Sequence, residues 1–127
     1  MKKLIVLINL IFFNYAYLHA GNNDINMSKE IFSNIILNQA PEATCSDSFY
    51  KECFDVSHQD CLKYMGITFE ICYKAAEKNT TVTDSSTLIE FGNYGKRIGN
   101  CAGASYEVIM RQAGKINQKC LKSPSNK

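Results

Sequence analysis

No two of the six cysteines are separated by only two residues, so the chain has no C-x-x-C pair. That removes the usual signature of thioredoxin-like redox centres, zinc ribbons and c-type haem attachment. Beyond residue 20 there is a single histidine, His58. Ser/His/Asp and Cys/His catalytic sets would all have to be built on it, and no ordered His/Cys/Asp spacing for a metal is present. After the first 20 residues no apolar run approaches the ~18 residues of a bilayer-spanning helix. No internal repeat is evident. No basic stretch is interleaved with aromatics, which argues against a nucleic-acid partner.

What is present begins with MKKLIVLINLIFFNYAYLHA. Lys2 and Lys3 form a charged start, Leu4 to Phe13 an apolar run, and Leu18-His19-Ala20 a cleavage-like end, the three parts of a secretory signal. Residues 1–20 are therefore expected to be a signal peptide cleaved near Ala20. Residues 21–127 should be a single helical domain with flexible ends, with no transmembrane segment in the mature chain. No cysteine stands at the cleavage point to be acylated. The MKKL start and the lysine-rich composition look bacterial, so the acceptor-like Asn79-Thr80-Thr81 is not expected to carry a glycan. Export decides how the cysteines read. An even count in a small secreted or periplasmic chain implies disulfides, where the same count in the cytosol would suggest metal or redox chemistry.

Four of the six cysteines lie between Cys45 and Cys72, spaced C-x7-C-x7-C-x10-C. Cys45, Phe49 and Cys53 recur at helical spacing, as do Cys61, Met65, Thr68, Cys72 and Ala75. Between them Ser57-His58-Gln59-Asp60 is a capping-box-like helix start. Two helices joined by so few residues lie antiparallel. An αα-hairpin then sets Cys53 opposite Cys61 and Cys45 opposite Cys72, leaving Cys101 for Cys120 by elimination. Six cysteines allow about 15 pairings, and the spacing does not choose among them.

Elsewhere Ser28 can cap a helix from Lys29 to Gln39, with Ile31, Phe32, Ile35 and Ile36 as its buried stripe and Pro41 as its end. Thr87-Leu88-Ile89-Glu90 is a second capping box. It opens the longest helical pattern, whose face is Leu88, Phe91, Gly95, Ile98, Ala102, Ser105 or Tyr106, and Ile109. Gly114 is its natural stop. The expected architecture is all-α: a small disulfide-stapled bundle of about four helices, with starts near Lys29, Cys45, His58 and Leu88 and an αα-hairpin at its centre. Gly92, Gly95, Gly99 and Gly103 are a heavy handicap within one helix at about 1 kcal/mol each. They read as a face for tight helix docking or, alternatively, as a ligand cleft lined by backbone.

Net charge hides an asymmetry. Residues 21–95 carry five lysines against eleven acids, whereas residues 96–127 carry seven bases against Glu107 alone. These segments can neutralise one another side by side, or the second can expose a basic patch for an anionic partner. The candidate binding residues are thus Gly95, Lys96, Arg97, Gly99, Gly103, Arg111, Lys115 and Lys119. The partner would be a protein or an anionic lipid or other ligand. No motif calls for a cofactor or a metal.

His58 and Asp60 among cysteines invite comparison with secreted phospholipases A2. That family has His-Asp adjacent after a double cysteine, and here the order is His58-Gln59-Asp60-Cys61 with no calcium loop upstream. Insect odorant-binding proteins have their second and third cysteines three residues apart, a pair this chain lacks. The stretches CFDVSHQDCLKYMG and FGNYGKRIGNCAGASYEV resemble small exported helical proteins of bacteria, over roughly Cys45 to Ile109. That resemblance implies a location and a fold and no activity. A non-enzymatic secreted or periplasmic interaction protein, effector-like or inhibitor-like, is the expected function. The alternative is a small secreted hydrolase using a carboxylate or His58.

Overall fold

The computed structural model describes residues 27–79 and 82–121. Residues 1–26, with the expected signal peptide, Thr80 and Thr81 of the acceptor-like triplet, and the tail after Leu121 lie outside the described residues. Every regular element among the described residues is helical, and three disulfides staple them. The chain is all-α, a small disulfide-stapled helical fold.

The first helix, α1 (Lys29–Asn34), is capped as its sequence implies. The Ile31 amide donates to Ser28 Oγ at 3.1 Å. A second acceptor arrives from far along the chain: the Lys29 amide donates to Asp84 Oδ1 at 2.8 Å. Phe32, Ile35 and Ile36 are buried, whereas Ile31 is exposed. Pro41 does not end the helix. A π-helical stretch, Ile35–Gln39, follows α1, with the Ala40 amide reaching back five residues to the Ile35 carbonyl. The wider turn accommodates a proline that an α-helical register would clash with, and the chain continues as α2 (Ala40–Ser46).

The expected helix through Cys45 and Cys53 is broken. Asp47 is extended (φ −69°, ψ 136°), ends α2, and caps α3 (Ser48–Cys53) by accepting from the Phe49 amide at 2.9 Å. An Asp side chain competes well for such an amide, so the residue restarts the helix in a new direction. Cys45 and Cys53 thereby lose the common face that the spacing suggested, and the ladder of pairings fails with it. The observed bonds are Cys45–Cys61, Cys53–Cys120 and Cys72–Cys101. In the chain-entropy treatment each contributes about 3 to 4.5 kcal/mol, the bond of sequence separation 67 most.

The central antiparallel pair is α4 (His58–Asn79) with α5 (Leu88–Gln112), the most extensively packed pair of elements. Ser57 starts α4, its Oγ accepting from the Asp60 amide at 3.0 Å. The Thr87/Glu90 capping box starts α5, with both reciprocal bonds present. Such a box is worth about 1 kcal/mol. Helix α5 is unbroken despite its glycines, and Gly95, Gly99 and Gly103 are all buried. Phe91, Tyr94, Ile98, Ala102, Tyr106 and Met110 complete its inner face. Leu88 departs from the expected stripe at 48 % exposure, because it precedes the first full turn that meets the core.

After α5 the chain reverses at Gly114, whose φ of +67° is the left-handed conformation that suits glycine. The Lys115 amide returns to the Met110 carbonyl at 2.8 Å. The strand-like segment that follows pairs with the α3–α4 connection. Phe54 and Ile116 form an isolated antiparallel bridge, the Asp55 amide donates to the Lys115 carbonyl, and the Asn117 amide donates to the Cys53 carbonyl, both at 2.8 Å. A last turn, α6 (Gln118–Leu121), places Cys120 against Cys53.

Candidate functional site

The eight candidate residues divide into two groups. Gly95 and Gly99 are buried along α5, which agrees with a docking face, and their exposed neighbours Lys96 and Arg97 lie on the same helix. Gly103, Arg111, Lys115 and Lys119 gather instead at the far end of α5, where the chain turns back.

That end contains a cavity of about 60 Å³ lined by Phe49, Tyr50, Cys53, Phe54, Gly103, Glu107, Arg111, Ile116 and Cys120. Three elements build it. Helix α3 contributes Phe49 and Tyr50, and Phe54 follows it into the bridge. Helix α5 contributes Gly103, Glu107 and Arg111, one turn apart on one face, and the returning tail adds Ile116 and Cys120. The aromatic walls pack on one another: Tyr50 stacks on Phe54 at 5.4 Å between ring centroids, and Tyr106 meets Phe54 edge-on at 5.0 Å. Gly103 has no side chain to fill the floor.

Charge around this cavity is arranged in pairs. Arg111 bonds Glu107 at 2.8 Å, one helical turn away, and Lys119 approaches Glu52 at 3.8 Å across the tail. The second contact joins the acidic and basic parts of the chain; the first lies within the basic part. Both pairs are exposed, so each is worth well under 1 kcal/mol and yields readily to another partner. Lys115 is exposed on the turn beside them.

Burial pushes the Tyr50 phenol well above its ordinary range, with the charges of Asp47 and Glu107 and the Tyr106 phenol adding to the effect. Tyr106 is pushed up to about 12 by burial and then by Asp60. Its hydroxyl is buried without a hydrogen-bond partner among the described residues. A neutral phenol in an apolar wall, with a guanidinium lining the same cavity, can hold an apolar group that carries a negative charge.

His58 lies elsewhere, at the start of α4. Its Nε2 sits 3.1 Å from Glu42 Oε1, and both side chains are about half exposed, as a first-turn position implies. It lines a second cavity, about 210 Å³, with Cys45, Tyr50, Lys51, Val56 and Cys61. An open groove of about 500 Å³ runs along α4 past Leu37, Gly66, Ile67 and Tyr73. Its Glu70 pairs with Lys74, whose hydrogen bond and charge hold the carboxyl below its usual value, and Glu77 pairs with Lys29 at 3.1 Å. Among the described residues no group of three metal-binding side chains converges. No described helix is long and apolar enough to cross a membrane.

The sequence singled out Gly103, Arg111, Lys115 and Lys119 but not the aromatic walls. Phe49 is visible in the sequence on the face of Cys45 and Cys53, and Tyr50 and Phe54 each stand next to one of its residues. Ile116 stood in a polar tail with no period, and only the backbone bridge to Phe54 brings it into the wall. Compared with protein-family models, curated proteins and solved structures, the chain finds no match.

Proposed function

We propose that this protein is a non-enzymatic interaction protein of an exported, oxidising compartment. It binds a protein partner, or an anionic ligand, at the end of the molecule where α5 turns into the tail. The observation that supports this reading is the meeting of Gly103 and Arg111, chosen from sequence for unrelated reasons, in one aromatic-walled cavity. Arg111, Lys115 and Lys119 would draw in the negative partner, and the aromatic wall would receive its apolar group. The three disulfides suit such a compartment.

The test is capture by the oxidised protein from the extracellular fluid and periplasm of its source, beside a variant carrying Arg111→Glu, Lys115→Glu and Lys119→Glu. All three side chains are exposed, so the fold should survive. Capture that the reversal abolishes supports the reading, and capture that it leaves unchanged removes it.

A second reading rests on the His58–Glu42 pair at the 210 Å³ cavity, where a carboxylate orients an imidazole as in general-base sites. It predicts hydrolysis of a model ester or glycoside that His58→Ala abolishes. Activity absent from the wild-type protein across such a screen would leave the binding reading alone.

A further inference from the structure

The cavity at the tail end is too small for the ligand its walls suit. An aromatic ring occupies a cavity on the order of 150 Å³, and this one measures about 60 Å³. Two of its walls, however, belong to a segment held by few bonds beside the packing of Ile116 and Cys120 against the core. Ile116 and Cys120 lie on the tail. Apart from the disulfide, the tail is tied to the α3–α4 connection by two backbone hydrogen bonds of 2.8 Å, a 3.5 Å contact from Asn117 Nδ2 to the Glu52 carbonyl, and the exposed Lys119–Glu52 pair. Of the other walls, those on α5 stand on a helix that Cys72–Cys101 holds to α4, and those on α3 follow directly on α2, which Cys45–Cys61 holds to α4.

We infer that the Cys53–Cys120 disulfide is a thiol-operated latch: opening it frees the tail, and the cavity widens into a site for an amphipathic aromatic anion. This inference rests on the proposed binding role of that end and adds its regulation: in the oxidised protein the exposed Arg111, Lys115 and Lys119 engage the partner's charge, and only opening the bond lets the aromatic wall receive its apolar group. The two sulfurs differ in access, Cys53 being 3 % exposed and Cys120 only partly buried. One thiolate of an external dithiol attacks Cys120 Sγ. The S–S bond breaks, Cys53 leaves as a thiolate and takes up a proton, and a mixed disulfide joins reagent and tail. The second thiol of the reagent then attacks its own sulfur in that mixed disulfide and releases Cys120 as a thiol. The protein bond gains two electrons and two protons, and the dithiol becomes a disulfide. The aromatic wall and Arg111, exposed together, would accept a flat ring and its charge.

The experiment uses the full oxidised protein and a Cys53→Ser/Cys120→Ser variant, with anilinonaphthalene sulfonate as the aromatic anionic probe. In the variant the Asp55 and Asn117 amides should exchange with solvent at least tenfold faster, while amides of α5 keep their protection. The dye should bind the variant and not the wild type, and adding Arg111→Glu should weaken that binding about tenfold. Retained protection at Asp55 and Asn117 overturns the latch. So does absence of dye binding, or dye binding indifferent to Arg111. Loss of the helical circular dichroism in the variant also overturns it, since the bond would then be a staple of the fold. None of these readouts requires the natural partner, so failure here is separate from failure of the charge-reversal capture.

Discussion

Ile98 and Leu88 lie on one face of one helix by sequence, yet they should answer the same substitution differently. Ile98 is fully buried, so Ile98→Asp strands a charge in the core and should cost several kcal/mol. Leu88 is 48 % exposed in the first turn of α5, where an acid suits the positive helix end, and Leu88→Asp should stay within about 0.5 kcal/mol. Urea midpoints of the two variants compare them directly. The glycines divide in the same way. A Cβ at Gly66, within α4, meets nothing within 4 Å, so Gly66→Ala should raise stability by up to about 1 kcal/mol. Gly99 is buried, and Gly99→Leu should lose about 1–3 kcal/mol through overpacking. Thermal melts of this pair should move in opposite directions. Tyr106 sets an alkaline limit. Its folded value of about 12 lies above the ordinary 10.0, so the stability it contributes is whole below pH 10. That contribution falls as pH rises from 10 towards 12, because the unfolded phenol ionises first. Tyr106→Phe should flatten the fall measured by urea unfolding between pH 10 and pH 12.

At the level of elements, three of the four helix starts were plain in the sequence, whereas the start expected near Cys45 falls inside α2 and the changes of direction were not legible. Ser28, Ser57 and Thr87 all cap as expected, because a cap is a bargain among three or four adjacent residues. Pro41 and Asp47 misled for the opposite reason. Whether a proline stops a helix depends on whether the turn before it can widen, and whether an Asp caps or merely rides on a helix depends on what the next helix must reach. The break at Asp47 parts Cys45 from Cys53, so their pairing was beyond the reach of spacing. The basic residues of the candidate site were legible as a charge imbalance; Ile116 joins its wall only through a backbone bridge that carries no side-chain pattern. A further cap was equally invisible: Asp84, in the loop before α5, accepts from the first amide of α1. Asp84→Ala should cost about 1 kcal/mol and lower the melting temperature, although the residue is 55 positions away from the helix it serves.

For the whole molecule the covalent map is the most direct test. Peptide mapping without reduction should recover Cys45 with Cys61, Cys53 with Cys120 and Cys72 with Cys101, and a peptide joining Cys53 to Cys61 would refute the arrangement. Four glycines weaken α5 taken alone, but its burial against α4 and the Cys72–Cys101 bond hold it as one helix. The same map has a consequence for damage. All four cysteines of the first part precede the α4–α5 loop, and two of them are bonded across it, to Cys101 and to Cys120. A protease that cuts the exposed turn around Asp84 and Ser85 would sever the peptide backbone once and leave two fragments doubly tethered. They would share one core and migrate as a single species until a reductant parts them, so the molecule can survive a broken chain with its site intact.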